Sequence, residues 1–270
     1  MGTTADKLNR LINTKEGIRQ EINRAYNAEQ ISTSDTFNSY IQKLEEHPFY
    51  VKTLVEGTIK NVNLPNATSI GNNAFESCSK LTSVSFPKAT SIGEYAFSNC
   101  SSLTEISFPN ATSIGRDAFS SCRKFTSVSF PNATSIGSNA FYGCNSLTEV
   151  SFPKATSMGD SAFYSCSSLI KVSFPKATSI GETAFENCGS LTSVSFPEAT
   201  SIGSNAFYNC KSLTTIYVGT NTSTVCTLSN TSAFNNCTNL TNIYVPASLV
   251  NSYKSATNWS NYASKIKATP

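Results

Sequence analysis

Histidine is almost missing from this chain. His47 is the only one in 270 residues, and it stands beside Pro48. A lone imidazole leaves little material for a zinc site or for histidine acid–base chemistry. No C-x-x-C pair compensates, and there is no phosphate loop, no G-x-S-x-G nucleophile elbow, no HExxH and no GxGxxG after a strand pattern. Charge is also scarce: charged residues are 14% of the chain and the net charge is only +3. Lysine and arginine are scattered and never form a run, which argues against nucleic acid or an anionic membrane as partner. No apolar stretch approaches the roughly 18 residues of a membrane span. The first 30 residues carry charges throughout, so no secretory signal is read there. These absences predict a non-catalytic chain with no cofactor, no metal and no membrane insertion. They also predict that it is made in the cytoplasm and becomes surface-exposed or virion-associated only through assembly into a larger particle.

What is present is a repeat. Cys78, Cys100, Cys122, Cys144, Cys166, Cys188 and Cys210 follow one another every 22 residues. Columns led by Gly71, Phe75 and Leu81 keep the same step. The unit starting at Leu81 reads LTSVSFPKATSIGEYAFSNCSS. In it Val84 and Phe86 alternate with Ser83 and Ser85, the period of a half-buried strand. Pro87 lacks a backbone donor and ends that strand. Ile92 turns inward, Gly93 permits a tight or positive-φ turn, and Ala96, Phe97 and Cys100 pack inward on a short helical or irregular turn. One unit cannot bury these faces alone, so the units must stack. Alignment to the Leu81 template gives about nine strands, from Ile59–Leu64 to Ile243 and Val245. At about 4.8 Å per strand the parallel sheet would be roughly 40 Å long. Between Cys210 and Cys237 the spacing grows to 27, which places a longer loop between Val218 and Ala233, with Cys226 off register inside it.

The recurrence of L-x-x-V-x-F-P…I-G-x-x-A-F-x-x-C over residues 54–246 resembles the BspA-like leucine-rich-repeat family. The resemblance implies an α/β leucine-rich-repeat solenoid with a parallel β-sheet on one face. It also implies a role in adhesion, binding to host matrix proteins or cell–cell interaction. The expected organisation is a small helical N-terminal assembly or capping module over 1–50, the solenoid over 51–246, and a helical C-terminal cap over 247–270.

The ends differ in character from the repeats. Leu8, Leu11, Lys15, Ile18, Ile22 and Ala25 fit a heptad a/d seam. A second helix is expected from a Ser34 cap to Glu46, stopped by His47-Pro48. This pair either caps the open end of the stack or serves as a docking or homo-oligomerisation module. The strings TTADKLNRLINTKEGIRQEIN and SDTFNSYIQKL resemble the N-terminal module of bacteriophage and prophage tail-associated proteins. At the other end Leu249, Val250, Tyr253, Trp259, Tyr262 and Ile266 are expected to cover the last strand.

The cysteine column reads as small buried hydrophobes, because a ladder of parallel side chains points the wrong way for regular disulfides. Cys226 is the candidate reactive thiol, provided its loop is open. Glu105 and Glu149 read as solvated charges about 10 Å apart across two repeats. The N-A-T strings at Asn66, Asn110 and Asn132 read as turn chemistry after proline.

Two surfaces are left as binding candidates. One is the outward strand face, a serine column from Ser85 to Ser195 that continues as Tyr217 and Tyr244, beside a column ending in Thr215 and Asn242. The two tyrosines either anchor a ligand or pack under the C-terminal cap. The other candidate is the opposite side, where Tyr142, Tyr164 and Tyr208 follow the Ala-Phe pairs. The expected function is protein binding or adhesion, with a protein or a cell-surface glycan as partner, on a chain mounted on a phage-like tail or cell-surface assembly. The alternative is a structural spacer or decoration protein of a particle.

Overall fold

The structure, a computed structural model, describes residues 60–270. The N-terminal helices expected from the sequence, their expected a/d seam and the strand residue expected at Ile59 all fall outside the described residues. From Lys60 onward the chain winds as a solenoid, and each turn contributes two parallel strands. The front strands are Asn61–Asn63, Ser83–Ser85, Glu105–Ser107, Ser127–Ser129, Glu149–Ser151, Lys171–Ser173, Ser193–Phe196, Thr215–Val218 and Asn242–Val245. They are the nine expected from the repeat. Where adjacent front strands pair they are in register, Val84 lying between Val62 and Ile106.

A second ladder runs behind the first. Eight strands of two residues each, from Ser69–Ile70 to Thr227–Leu228, form one unbroken parallel sheet. Sequence reading placed only an inward Ile here, because two residues offer no alternation to recognise. Beside this ladder the Thr column adds side-chain bonds: Thr112 Oγ1 donates to Thr90 O at 3.0 Å and Thr134 Oγ1 to Thr112 O at 3.2 Å.

The segment after each glycine is a turn and not a helix. Its N–H groups point along the solenoid: Tyr95, Phe97 and Asn99 donate to the carbonyls of Arg116, Ala118 and Ser120 at 2.7–2.9 Å. Sending alternate N–H groups the same way requires left-handed backbone at two positions per turn. Tyr95 (φ 56°) and Asn99 (φ 61°) have it, as do Asp117, Ser121, Asn139, Asn205 and Asn209. Asn, Asp and Ser fill most of these positions, since their short polar side chains tolerate that region best. The glycine column has a different reason from the one expected. Gly93, Gly115 and Gly137 do not have positive φ; a Cβ on Gly115 would lie 2.6 Å from the carbonyl carbon of Gly93. Close stacking of backbones forbids any side chain there.

Between the ladders lies a continuous core. Phe75, Phe97, Phe119, Phe141, Phe163, Phe185 and Phe207 stack ring on ring at 5.1–5.4 Å. The cysteines line the same core and all nine are free and buried. From Cys100 onward each thiol of the column has an acceptor one turn back: Cys100 Sγ donates to Phe75 O at 3.0 Å, Cys122 Sγ to Phe97 O at 3.1 Å, and the pattern continues to Cys237 on Phe207 at 3.0 Å. The column therefore joins consecutive turns through hydrogen bonds rather than disulfides.

The front ladder is interrupted twice. Its nine strands group in threes, with breaks between Glu105–Ser107 and Ser127–Ser129 and between Lys171–Ser173 and Ser193–Phe196. The Phe column behind opens at the same places. Phe108–Phe130 and Phe174–Phe196 lie 6.1 and 6.0 Å apart at 17° and 21°, against 5.3–5.5 Å and 5–11° for Phe86–Phe108, Phe130–Phe152 and Phe152–Phe174. Ile106 and Val172 are half-buried there, whereas Val84, Val128, Val150 and Val194 are buried. Each break coincides with a departure from the repeat: Phe125 occupies the leucine column at the first, and Ile170 replaces the usual threonine at the second.

The C-terminal segment carries the expected cap helix, in short form, and adds a strand that sequence reading did not place. It is a 3-10 turn (Ala247–Leu249), a six-residue helix α1 (Val250–Ser255), a second 3-10 stretch (Trp259–Lys265) and a strand, Ile266–Ala268. That strand pairs in parallel with Asn242–Val245 and adds a tenth member to the front sheet. The helix stops because Ala256 is extended and Asn258 is left-handed (φ 66°), so the chain is turned back onto the end of the stack.

Candidate binding surfaces

On the front face the outward column is serine up to Ser195 and then becomes aromatic. Tyr217 and Tyr244 stack at 5.0 Å between ring centroids, 23° from parallel. Strand pairing sets them side by side, with Ser195 opposite Tyr217 on one flank and Lys267 opposite Tyr244 on the other. Both rings are half-buried. The C-terminal segment also reaches this column, through Lys267 beside Tyr244. The cap covers the core end with Tyr253, Trp259, Tyr262 and Ile266, all buried, while Tyr217 and Tyr244 stand on the outer side of the sheet. Thr215 and Asn242 face one another in the neighbouring column, and Lys267 Nζ donates to Asn242 Oδ1 at 2.5 Å. The structure thus brings four of the predicted residues into one cluster and adds Lys267. The sequence could have pointed to Lys267 only if Ile266–Ala268 had been recognised as a strand.

Farther along the same face Lys171 Nζ lies 2.8 Å from Glu149 Oε1, both largely exposed. Such a pair contributes little to stability. It does take up Glu149, so Glu105 and Glu149 are not two equivalent free carboxylates.

On the opposite side Tyr142 and Tyr164 stack at 4.9 Å with planes 1° apart. Tyr208 is not part of that stack, because Glu186 occupies the intervening position in the column. Burial and the neighbouring Glu186 carboxylate push the Tyr164 hydroxyl above its ordinary range. The predicted trio is therefore a stacked pair, a carboxylate and a separate ring.

A shallow groove of about 520 Å³ follows the edge after the prolines, between Lys88 and Lys154. Its polar groups satisfy each other: Lys88 Nζ donates to Asn66 Oδ1 at 3.0 Å, Lys154 Nζ to Asn132 Oδ1 at 2.7 Å, and the Asn110 and Asn132 amides to the carbonyls of Pro87 and Pro109 at 2.7 and 2.8 Å. The N-A-T asparagines are tied to the stack in this way.

Cys226 does not meet the condition for a reactive thiol. It is fully buried, its N–H donates to Tyr253 Oη at 2.9 Å, and burial pushes its thiol up to about 12. The distinctive thiol is Cys237. It is the least buried of the nine, 7% exposed where the other eight are at 0%, with its Sγ donating to Phe207 O. Among the described residues no group of three His, Cys, Asp or Glu side chains is placed to hold a metal ion, and no helix is long and apolar enough to cross a membrane.

Comparison with known proteins matches the chain to the BspA type leucine rich repeat region (6 copies), over residues 20–132, 51–168, 112–229 and 156–267. No curated protein matches the sequence. Similar solved structures include a leucine rich cell surface protein from Faecalibacterium prausnitzii, at 22% identity over 80% of this chain and 69% of that chain, with TM-score 0.41. A leucine-rich repeat protein from Bacteroides ovatus is 20% identical over 78% and 92% of the two chains, with TM-score 0.38. The T. pallidum leucine rich repeat protein is 22% identical over 80% and 89%, with TM-score 0.35. The family match spans most of the chain and falls on the columns that build the two ladders, and the chain belongs to the BspA-type leucine-rich-repeat family.

Proposed function

We propose that this chain is a non-catalytic binding and adhesion module whose front face engages a protein partner at Tyr217 and Tyr244. The observation that carries the reading is the stack of those two rings at 5.0 Å on the outer side of the sheet. Aromatic anchors dominate contact energetics at interfaces. Here they stand beside a column of smaller serines, so a partner's side chains can reach the open flank of Tyr217. Thr215, Asn242 and Lys267 supply hydrogen-bonding groups around them. Mounting through residues 1–50 on a tail-like or cell-surface assembly would make the face multivalent and raise avidity without new contacts; the sequence resemblance of that segment motivates this part of the proposal.

A second reading is favoured by one observation. The outward column is serine in every strand from Ser85 to Ser195, a uniformity that suits a spacer or decoration protein with no ligand of its own. The two readings separate in a binding experiment. The full chain and its Y217S/Y244S variant are passed over immobilised matrix proteins and a glycan array. Serine is what the same column carries elsewhere, so the variant keeps the fold, as circular dichroism should verify. The binding reading expects at least one protein ligand and a loss of about tenfold or more in the variant. An unchanged affinity removes Tyr217 and Tyr244 as the site. Binding to glycans alone changes the partner class, and no binding at all favours the spacer.

A further inference from the structure

The positive charge of this chain is concentrated toward one end. The net charge is +3, and residues 199–270 hold four lysines, Lys211, Lys254, Lys265 and Lys267, without a single aspartate or glutamate. Glu198, the last acidic side chain, lies 3.9 Å from Lys176 and accepts from Asn221 Nδ2 at 3.2 Å. Among the described residues the ion pairs are Arg116–Asp117, Lys171–Glu149 and Lys176–Glu198, and none includes any of the four lysines.

One of the four stands at the tyrosine stack. Lys267 is exposed and lies opposite Tyr244 in the strand pairing, and its Nζ donates to Asn242 Oδ1 at 2.5 Å. Lys265, just before the same strand, donates to the Leu240 carbonyl. Both acceptors are neutral oxygens. Each engages one of the three ammonium hydrogens and leaves the charge uncompensated. The column runs Ser195, Tyr217, Tyr244, Lys267 across four paired strands. Its two ends are therefore three strand spacings apart, about 14 Å, the length of about four residues of extended chain.

We infer that the Tyr217–Tyr244 site takes an acidic segment of its protein partner, with a carboxylate on Lys267 and an apolar side chain on the open flank of Tyr217. This rests on the front-face reading above and names the chemistry of its partner. Charge complementarity selects the occupant. A basic segment would meet Lys267 and Lys265 where residues 199–270 supply no acidic side chain. A sulfated polysaccharide carries its anions evenly along its length. Toward the earlier turns this face offers it serine, then the Lys171–Glu149 pair and Glu105, and no unpaired cation. An acidic peptide can place its charge at Lys267 alone.

The test uses the full chain and three end-blocked peptides, Phe-Gly-Gly-Gly-Glu-Glu and counterparts ending in Gln-Gln or Lys-Lys, titrated calorimetrically at low and high salt. Four residues separate the ring from the first acid, matching the span of the site. At low salt the Glu peptide should bind about three- to fivefold more tightly than the Gln peptide, with the Lys peptide weakest. Salt should shrink the difference. Lys267→Gln keeps a donor for Asn242; it should abolish the preference for Glu over Gln and leave the Gln peptide at its parent affinity. Y217S/Y244S should weaken the Glu peptide by about tenfold or more. If the parent binds the Glu and Gln peptides alike, or if K267Q retains the preference, the acidic occupant is overturned while the front-face reading stands. If the Glu peptide binds Y217S/Y244S as tightly as the parent, the rings are not its site and both fall. Absence of binding by all three peptides at low salt overturns this inference and leaves the front-face reading to the matrix-protein experiment. A sulfated disaccharide is titrated in parallel. If it binds more tightly than the Glu peptide and loses affinity in K267Q, the anion belongs to a glycan and the protein occupant is overturned.

Discussion

The indole Nε1 of Trp259 donates a hydrogen bond of 2.6 Å to the backbone carbonyl of Cys226. It ties the C-terminal segment to the one loop that departs from the repeat. Asn258 Nδ2 adds a bond to Leu228 O at 2.7 Å, Tyr253 Oη accepts from Cys226 N at 2.9 Å, and the Tyr262 hydroxyl and Lys265 ammonium reach the carbonyls of Thr231 and Leu240. A solenoid must end somewhere, and an uncovered end exposes both apolar core and unpaired carbonyls. The five inserted residues form the socket for this cap. Trp259→Phe should keep the packing and lose the bond, leaving a buried carbonyl without its donor. The expected cost is about 1–3 kcal/mol, read as a lower urea midpoint by circular dichroism. A midpoint equal to the parent's would mean that the bond contributes nothing.

Thr183 holds a left-handed backbone at φ 52°, unfavourable for a β-branched side chain. Asn73, Asn139 and Asn205 occupy the equivalent position at φ 54–57°. Thr183→Asn should therefore stabilise the protein by about 0.5–1 kcal/mol. Loss of the Ser161 Oγ–Thr183 Oγ1 contact at 2.6 Å opposes the gain. Chemical denaturation measures the balance, and a destabilised variant would show that this contact outweighs the backbone strain.

Buried thiols make stability depend on pH. Cys144 is pushed from 9.0 to about 12, chiefly by burial, and Cys122, Cys166 and Cys188 are pushed up for the same leading reason. A folded pKa above the unfolded one means that the unfolded chain releases its proton first as pH rises. The stabilisation is complete below the unfolded thiol value of about 8.5 and is lost above it, at up to about 1.4 kcal/mol per thiol for each pH unit. Melting temperature should fall steeply between pH 9 and 12, and less steeply in a Cys144→Ala variant. In the folded protein near neutral pH, mass-spectrometric mapping after iodoacetamide should find Cys237 alkylated before the other eight cysteines. Labelling of Cys226 first would contradict its burial.

At the two interruptions of the front ladder, the backbone bonds made elsewhere do not form. Thr148 N donates to Thr126 O at 2.8 Å and Phe152 N to Ser173 O at 3.0 Å, whereas Thr126, Phe108, Thr192 and Phe174 sit at the breaks. Their amides should exchange hydrogen about tenfold faster than those of Thr148 and Phe152, the equivalent of one ordinary hydrogen bond. Phe125→Leu restores the leucine column and should slow Thr126 to the rate of Thr148. If it does not, the larger ring is not what holds the first break open.

Much of this molecule was legible from 22-residue columns, because a residue that recurs at one position of a stack must find the same environment each time. Val84, Phe86, Phe97 and Cys100 could be assigned to the core on that ground alone, and all four are buried. The left-handed positions were also written in the sequence, as Asn, Asp and Ser at Asn73, Asn99, Asp117, Ser121 and Asn139, but they were hidden within a segment read as a helical or irregular turn. For the site, Tyr217, Tyr244, Thr215 and Asn242 followed from strand alternation, which fixes the face of a side chain.

By itself the sequence determined the repeat length, the front strands, the buried columns and the scarcity of catalytic material, since these depend on local pattern and on identity repeated at a fixed step. The tertiary structure alone decided the features that arise from contacts between turns. Glycine is required where one backbone lies against the next, the front sheet breaks where a single residue departs from its column, and Ile266–Ala268 becomes a strand only because Asn242–Val245 offers it an edge. It also decided that Tyr142 is open and Tyr164 is its backing, because exposure of a ring depends on its neighbours one turn before and one turn after, which lie next to it only once the chain has been wound.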